Sequence, residues 1–197
     1  KVERASYDVP TPSAARGIVE SIYLHPGMRW VIRRIYVLNP IEFTTIRRNE
    51  VKSKILGGTA MRIAQSKEDE PYLVTTKQIV QRASMVLTNV HYVIEAEFEM
   101  LPEKAAPGDN PGKFQDIVTR RMRKGQCFST PYFGCREFPA HFKQWEGGPI
   151  PTIDETRDLG FMLYDFDYSD PQNITPLYFR AKMEHGVIQV AGCEVFR

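Results

Sequence analysis

The stretch YDVPTPSAARGIVESIYLHP, residues 7–26, contains an extended entry, a helix start, an amphipathic helix and a stop, and the rest of the chain is organised around it. Thr11 is the predicted N-cap, and Pro12 already has the φ that the first helical residue needs. Apolar residues at i, i+3, i+4 and i+7 predict one buried stripe, made of Ala15, Ile18, Val19 and Ile22. His25 precedes a proline and is therefore pushed out of the α region, so the helix ends there.

Tyr23 lies in the last turn of this predicted helix, on the same side as Arg16 and Glu20 and away from the middle of the apolar stripe. A phenol at a helix end, beside a basic residue, is a candidate for chemistry. The same position also suits an ordinary tyrosine at the edge of the core. Spacing alone leaves both interpretations open and favours the second.

Composition indicates a protein with a real core, since 42% of its 197 residues are hydrophobic and 25% are charged. No segment approaches the run of about 20 apolar residues that a membrane span needs, so we expect no membrane partner. Three cysteines, an odd number without a CxxC pair, favour free thiols in a reducing cytoplasm over disulfides or a zinc site. We therefore expect a cytoplasmic protein.

Charge is segregated along the chain, although the net charge is only +2. Residues 29–54 hold seven Lys/Arg and two Glu, and residues 113–124 hold five Lys/Arg and one Asp. Residues 154–170 hold six acids and one Arg. Two basic blocks rich in arginine favour a surface that binds phosphate, and an ordinary solvated surface is the alternative.

Two strands are predicted after the first helix. Residues 28–43 are rich in β-branched and aromatic side chains and are apolar on both faces, so Arg33 and Arg34 would need partners inside a covered strand. Residues 44–71 are polar and basic, which predicts a long excursion from the core. Residues 86–100 alternate apolar and acidic side chains, which predicts one strand with a buried face and a wet face.

A second amphipathic helix is predicted at residues 113–124, because Asn110 can cap it and Gly125 can end it. Lys113 then lies at the helix N-terminus, where it can meet an anion that is drawn to the same end. A strand at residues 158–168 and a hairpin that turns at His185 and Gly186 follow.

This order of elements favours an α+β fold. A ferredoxin-like (RRM-like) N-terminal domain would occupy residues 1–125, provided that one more strand precedes the first helix. We expect that strand to be missing from the sequence. A small antiparallel β-sheet C-terminal domain would occupy residues 126–197.

Several long motifs together resemble one family. They are YDVPTPSAARGIVESIY from residue 7, IRRNEVKSKI from residue 46, NPGKF from residue 110, YFGCREFPAHF from residue 132 and DLGFMLYDFDY from residue 158. In this order, and over nearly the whole chain, they resemble CRISPR-associated protein 5 of the type I-C system, the Dvulg subtype, in the RAMP superfamily.

The resemblance implies an endoribonuclease that cuts CRISPR repeat RNA at the base of its hairpin. It would then stay on the 5′ handle of the guide RNA, beside the other subunits of the type I-C surveillance complex. Cutting in this family needs no metal or other cofactor, and we expect it to leave a 2′,3′-cyclic phosphate. Family members use a tyrosine from the first helix and a Lys-His pair at the start of the second. The tyrosine matches Tyr23, the lysine matches Lys113, and Phe114 occupies the histidine position.

Phe114 removes the usual proton carrier for neutral pH. His25 and His141 are the candidates to replace it, and for each a plain polar histidine is the alternative. The chain could also cut with Tyr23 and Lys113 alone, or bind the guide handle without cutting. Metal-dependent DNA cleavage ranks last, because the sequence suggests no metal site; the alternating Asp165 and Asp167 are interpreted as a solvated strand face.

Basic residues elsewhere are candidates for RNA contacts, which would make the affinity depend on salt. One lies beside the tyrosine, four in the excursion and four in the second helix. They are Arg16; Arg47, Arg48, Lys52 and Lys54; and Arg120, Arg121, Arg123 and Lys124.

Overall fold

A six-stranded sheet carries the larger of two units into which the chain folds. The computed structural model describes residues 4–53, 61 and 74–197, and the larger unit comprises residues 7–41 and 89–197. The strands are β1 (Arg4–Ala5), β2 (Met28–Val37), β3 (Glu42–Val51), β4 (Ile79–Thr88), β5 (Tyr92–Met100), β6 (Arg157–Asp167), β7 (Thr175–Glu184), β8 (Val187–Gln189) and β9 (Val195–Phe196). The helices are α1 (Pro12–Ile22), α2 (Thr75–Gln78) and α3 (Pro111–Lys124), with a 3-10 turn at Pro102–Lys104. The large sheet has the order β5-β2-β8-β7-β6, with β9 paired to β7.

Both long helices begin at the predicted caps and α3 ends at the predicted glycine, but α1 ends at Ile22, so Tyr23 is its C-cap rather than a residue of its last turn. The hydroxyl of Thr11 accepts the amide of Ala14 at 3.2 Å and caps α1. The side chain of Asn110 accepts the amide of Lys113 at 2.9 Å and caps α3, which ends at Gly125 with a φ of 63°. The apolar stripe of α1 packs on β2 and β6, and α3 contacts α1. The Asn110 cap fixes the start of α3, which meets the end of α1 at the site described below.

β2 is apolar on one face only, so the prediction of a strand covered on both faces is wrong. Its register with β5 shifts between Ile32 and Arg34, and this bulge moves the following side chains to the other face. Trp30, Ile32, Ile35 and Val37 are therefore all buried. The arginines of the open face find the expected partners, which are the glutamates of β5: Arg29 with Glu99, Arg33 with Glu97, and Arg34 with Glu95.

The smaller unit, residues 1–6 and 42–88, differs most from the sequence prediction. The expected polar excursion begins as a strand, because β3 pairs along its whole length with β4, and β1 joins β4 in parallel. Residues 86–100 are also two strands rather than one. They are separated at Asn89, whose φ of 48° is left-handed and breaks the extended backbone.

The C-terminal strands follow the prediction. β6 pairs with β7, and the hairpin from β7 to β8 turns at His185 and Gly186, which have φ values of 47° and 72°. The α+β class is thus confirmed. Strands from both sides of residue 125 share the large sheet, and the ferredoxin-like arrangement and the domain boundary at residue 125 stay predictions. No helix within the described ranges is long and apolar enough to cross a membrane.

Candidate active site

The end of α1 and the start of α3 meet around one buried ring. Phe114 directly follows Lys113 in the first turn of α3 and is 0% exposed. Its ring centroid lies 6.0 Å from that of Tyr23 and 4.8 Å from that of His25. Phe114, at the position where the resemblance implies a histidine, therefore packs directly against a histidine from another segment.

Tyr23 is the residue at which α1 ends. Its amide donates to the carbonyl of Val19 at 3.1 Å, while its extended backbone turns the chain out of the helix. Its carbonyl accepts the indole N–H of Trp30 at 2.8 Å, so the backbone is held on both sides. Burial raises the pKa of the phenol, and the nearby charges of Arg121 and Lys113 only partly oppose this. The hydroxyl therefore keeps its proton at neutral pH.

Arg121, on α3, joins the two helix ends. Its guanidinium donates to the carbonyl of Ile22 at 2.6 Å, which satisfies one of the free carbonyls at the end of α1. The same guanidinium lies 5.0 Å from the centre of the Tyr23 ring, within the range of a cation–π contact. The sequence grouped Arg121 with the RNA contacts, and its helical position gave no sign of this pairing.

His25 is held by the turn that follows α1. Its Nδ1 accepts the amide N–H of Gly27 at 3.1 Å, so the neutral ring carries its proton on Nε2. A Cβ on Gly27 would lie 3.0 Å from the Cα of Ala105, which explains why a glycine is needed there. Nε2 faces the carboxylate of Asp109, with Oδ2 at 3.7 Å. The imidazole is therefore fixed on one side and has an anion near the other.

Asp109 and Lys113 form an ion pair at the start of α3. Oδ1 of Asp109 accepts the ammonium of Lys113 at 2.8 Å, and Oδ2 accepts the amide of Ala106 at 2.8 Å. The hydrogen bond to Lys113 is the main cause that lowers the pKa of Asp109, and the same bond raises the pKa of Lys113. Lys113 therefore stays cationic. Sequence analysis missed Asp109, whose only signal is its position four residues before Lys113.

Several predicted residues lie away from this cluster. His141 is exposed in the loop between α3 and β6, and within the described part of the chain no hydrogen bond, ion pair or ring contact joins it to Tyr23. Arg16 donates to the carboxylate of Asp165 through both terminal nitrogens of its guanidinium, so a carboxylate of the same chain already balances its charge. Asp167 pairs with Arg197 at 2.6 Å. No group of three metal-ligating side chains occurs among the residues that the structure describes.

The remaining basic candidates fall in two places. Arg47 and Arg48 lie on β3 of the smaller unit, with Lys52 just after it, and Arg48 pairs with Glu50 at 3.7 Å. Lys54 lies outside the described residues. Three are exposed on α3 of the larger unit, namely Arg120, Arg123 and Lys124.

Solved structures share this fold. A chain described as "Crystal Structure of CRISPR-associated Protein" matches with a TM-score of 0.68 at 22% identity, over 98% of this chain and 88% of that one. A functionally uncharacterized protein, SMU1763c from Streptococcus mutans, matches with a TM-score of 0.67 at 23% identity, over 98% of this chain and 87% of that one. At these identities the match concerns the fold alone.

The chain belongs to the Cas5d family of CRISPR-associated proteins, because the family model described as "CRISPR-associated protein (Cas_Cas5)" matches residues 1–191. Two relatives are both called CRISPR pre-crRNA endoribonuclease Cas5d. That of Mannheimia succiniciproducens is 44% identical over 197 residues, which cover 96% of this chain and 86% of the relative. That of Thermus thermophilus is 35% identical over 207 residues, covering 96% of this chain and 83% of the relative. The family resemblance drawn from the motifs is confirmed.

Proposed function

We propose that the chain is a CRISPR pre-crRNA endoribonuclease that cuts at the base of the repeat hairpin without a metal and leaves a 2′,3′-cyclic phosphate. One observation carries the proposal: Tyr23, His25 and Lys113 converge around the buried ring of Phe114 in a member of the Cas5d family. The two relatives bear the name of this activity, which disfavours a subunit that only binds the guide.

Metal-free cleavage of RNA has three requirements. The 2′-hydroxyl must lose its proton, the negative charge on the phosphorane must be stabilised, and the 5′-oxygen must gain a proton. Lys113 meets the second requirement, because its bond to Asp109 keeps it cationic and it lies in the first turn of α3. The positive end of the α3 helix dipole favours an anion at the same place.

Tyr23 acts as a proton donor. Its raised pKa disfavours the phenolate, so a role as the base that deprotonates the 2′-hydroxyl is disfavoured too. A neutral phenol can instead donate a hydrogen bond to the phosphorane and its proton to the departing 5′-oxygen. Arg121 over the ring then offsets the charge that develops on the phenol oxygen.

His25 is the proton carrier in place of the family's histidine. The centroid of its ring lies 4.8 Å from that of Phe114, so an imidazole from the turn after α1 lies beside the position where the resemblance implies one on α3. The Gly27 amide holds Nδ1 of the ring, and the Asp109 carboxylate lies 3.7 Å from Nε2. A proton taken from the 2′-hydroxyl binds Nδ1 and displaces the Gly27 amide. The 2′-oxygen bonds to phosphorus, the bond to the 5′-oxygen breaks, and the imidazolium later returns its proton to the tyrosine or to solvent.

The exposed basic residues bind the RNA backbone. Arg120, Arg123 and Lys124 extend along α3 from the site and suit the stem of the hairpin. Arg47 and Lys52 in the smaller unit suit the 5′ handle, on which the protein stays as a subunit of the type I-C surveillance complex. Such contacts act mainly through phosphate, so they set affinity more than sequence preference.

Cleavage of labelled repeat RNA in EDTA tests the proposal. We expect a single cut at the hairpin base. The product should resist phosphatase until acid has opened its terminal phosphate ring, as a 2′,3′-cyclic phosphate does. Tyr23→Phe and Lys113→Ala should each slow the single-turnover rate by about 10²–10⁴-fold, the usual contribution of acid–base catalysis. Tyr178→Phe and Lys182→Ala, on exposed positions of β7, are matched controls that should cut normally. Binding without cutting by the unmodified protein would favour the guide-binding alternative.

A further inference from the structure

The carboxylate of Asp109 is almost inaccessible to solvent although it lies in a surface loop. Its side chain is 1% exposed, whereas that of Lys113, its partner, is 48% exposed. One oxygen takes the Lys113 ammonium, and the other takes the Ala106 amide and faces His25. A buried carboxylate with a lysine and a histidine on its two oxygens is more than the loop needs, because the Ala106 bond alone would close the turn.

We propose that Asp109 is a positioning residue of the cleavage site, which holds the Lys113 ammonium and the His25 imidazole in place before RNA arrives. This inference rests on the proposed function. A free lysine side chain would lose up to about 2 kcal/mol of rotamer entropy when it is fixed on a phosphate. Lys113 has already lost part of that freedom in its bond to Asp109.

The second task of Asp109 is electrostatic. His25 receives a proton during cleavage, and the ionisable groups near it are Asp109 and, across the site, Lys113 and Tyr23. Lys113 opposes an imidazolium, and Tyr23 is neutral. Asp109 is thus the one negative charge beside His25 among the described contacts, and it offsets both cations of the working site. Without it, the lysine would hinder the protonation of the histidine.

Asp109→Asn separates this role from that of a loop residue. The amide keeps the size of the side chain and an oxygen for the Ala106 amide, but it loses the charge. We expect the single-turnover cleavage rate to fall tenfold or more, a part of the roughly 10²–10⁴-fold that acid–base catalysis contributes. The alkaline limb of the pH–rate profile should move to lower pH, because the hydrogen bond to Asp109 is what raises the pKa of Lys113. Binding of a repeat RNA with a 2′-deoxy nucleotide at the cut should stay equal or become tighter.

Asp116→Asn is the matched control, since it removes one negative charge from an exposed position of α3, the helix that begins two residues after Asp109. It should leave the rate and the pH profile unchanged. Asp109→Ser also retains an oxygen for the turn and serves as a second variant if Asp109→Asn misfolds. Near-UV circular dichroism shows whether each variant keeps the native packing.

Three results would overturn the inference and are distinguishable. If the unmodified protein cuts but Asp109→Asn cuts at the same rate with the same pH profile, Asp109 is only a loop residue and the proposed function stands. A rate loss that tracks a lower melting temperature, with an unmoved profile, leads to the same conclusion. If the unmodified protein binds the RNA without cutting it, the proposed function fails and the inference fails with it.

Discussion

Truncation of Phe114 to alanine tests whether the family's histidine position has become part of the core. The ring is 0% exposed and makes edge contact with Phe98, with centroids 6.2 Å apart, in addition to its contacts with Tyr23 and His25. Removal of a fully buried phenylalanine ring costs about 3–5 kcal/mol, because the cavity adds to the lost transfer free energy. In a unit of this size, 1 kcal/mol shifts the melting temperature by roughly 2–4 °C, so we expect a fall of about 6–20 °C.

Thermal unfolding followed by circular dichroism measures this loss. Phe161→Ala is the matched control, since that ring is 60% exposed on β6 and its removal should cost far less. Below both melting temperatures, Phe114→Ala should also cut RNA more slowly, because Tyr23 and His25 lose the ring against which both pack. A loss of stability below about 1 kcal/mol, no greater than that of an ordinary surface substitution, would refute the described packing.

Three further outcomes follow from individual contacts. Arg121→Ala should slow cleavage at saturating protein more than it weakens RNA binding, because its guanidinium lies on the proposed catalytic tyrosine rather than in solvent; a change in binding alone would contradict this. Arg123→Ala should reduce the slope of log affinity against log salt by about 1 with little change in the cleavage rate at saturation, as expected for one phosphate contact. The hydrogen bond from Arg180 lowers the pKa of Asp158. The pair therefore stabilises the fold at pH values above the ordinary carboxyl pKa, and this contribution is lost as the pH falls through the lowered pKa. Asp158→Asn should therefore be slightly less stable than the unmodified protein at neutral pH, and melting curves should converge in acid.

The starts of both long helices and the end of α3 could be predicted from sequence because capping is local. Thr11 and Asn110 each act on an amide three residues away, and Gly125 ends α3 by its own backbone conformation. The hairpin at His185 and Gly186 follows from two adjacent residues in the same way. Each of these features needs no information about the rest of the fold.

The strand faces depended on information that a window of sequence does not contain. The bulge before Arg34 reverses the faces of the second half of β2, and no glycine or proline marks it. The pairing of β3 with β4 joins segments that are far apart in the chain, so the polar residues of β3 could be taken for a loop. Both features are set by hydrogen bonds between strands rather than by local preference.

The candidate site was predictable only in part, for the same reason. Tyr23 and Lys113 came from the family resemblance, and their helices bring them to a common ring. Asp109 and Arg121 act across the junction of α1 and α3, so only the packing of those helices reveals them. The choice between His25 and a histidine elsewhere likewise depends on which turn reaches Phe114.

The pH–rate profile of single-turnover cleavage in EDTA, compared between His25→Gln and His141→Gln, is the most direct test of the site. We expect His25→Gln to lose one limb of the profile and to cut about 10²–10⁴-fold more slowly, because the proton carrier is gone. His141→Gln should keep the rate and the profile of the unmodified protein, since its side chain lies in an exposed loop. Unchanged cleavage by His25→Gln, or loss of the limb in His141→Gln instead, would contradict a cleavage site built from Tyr23, His25 and Lys113.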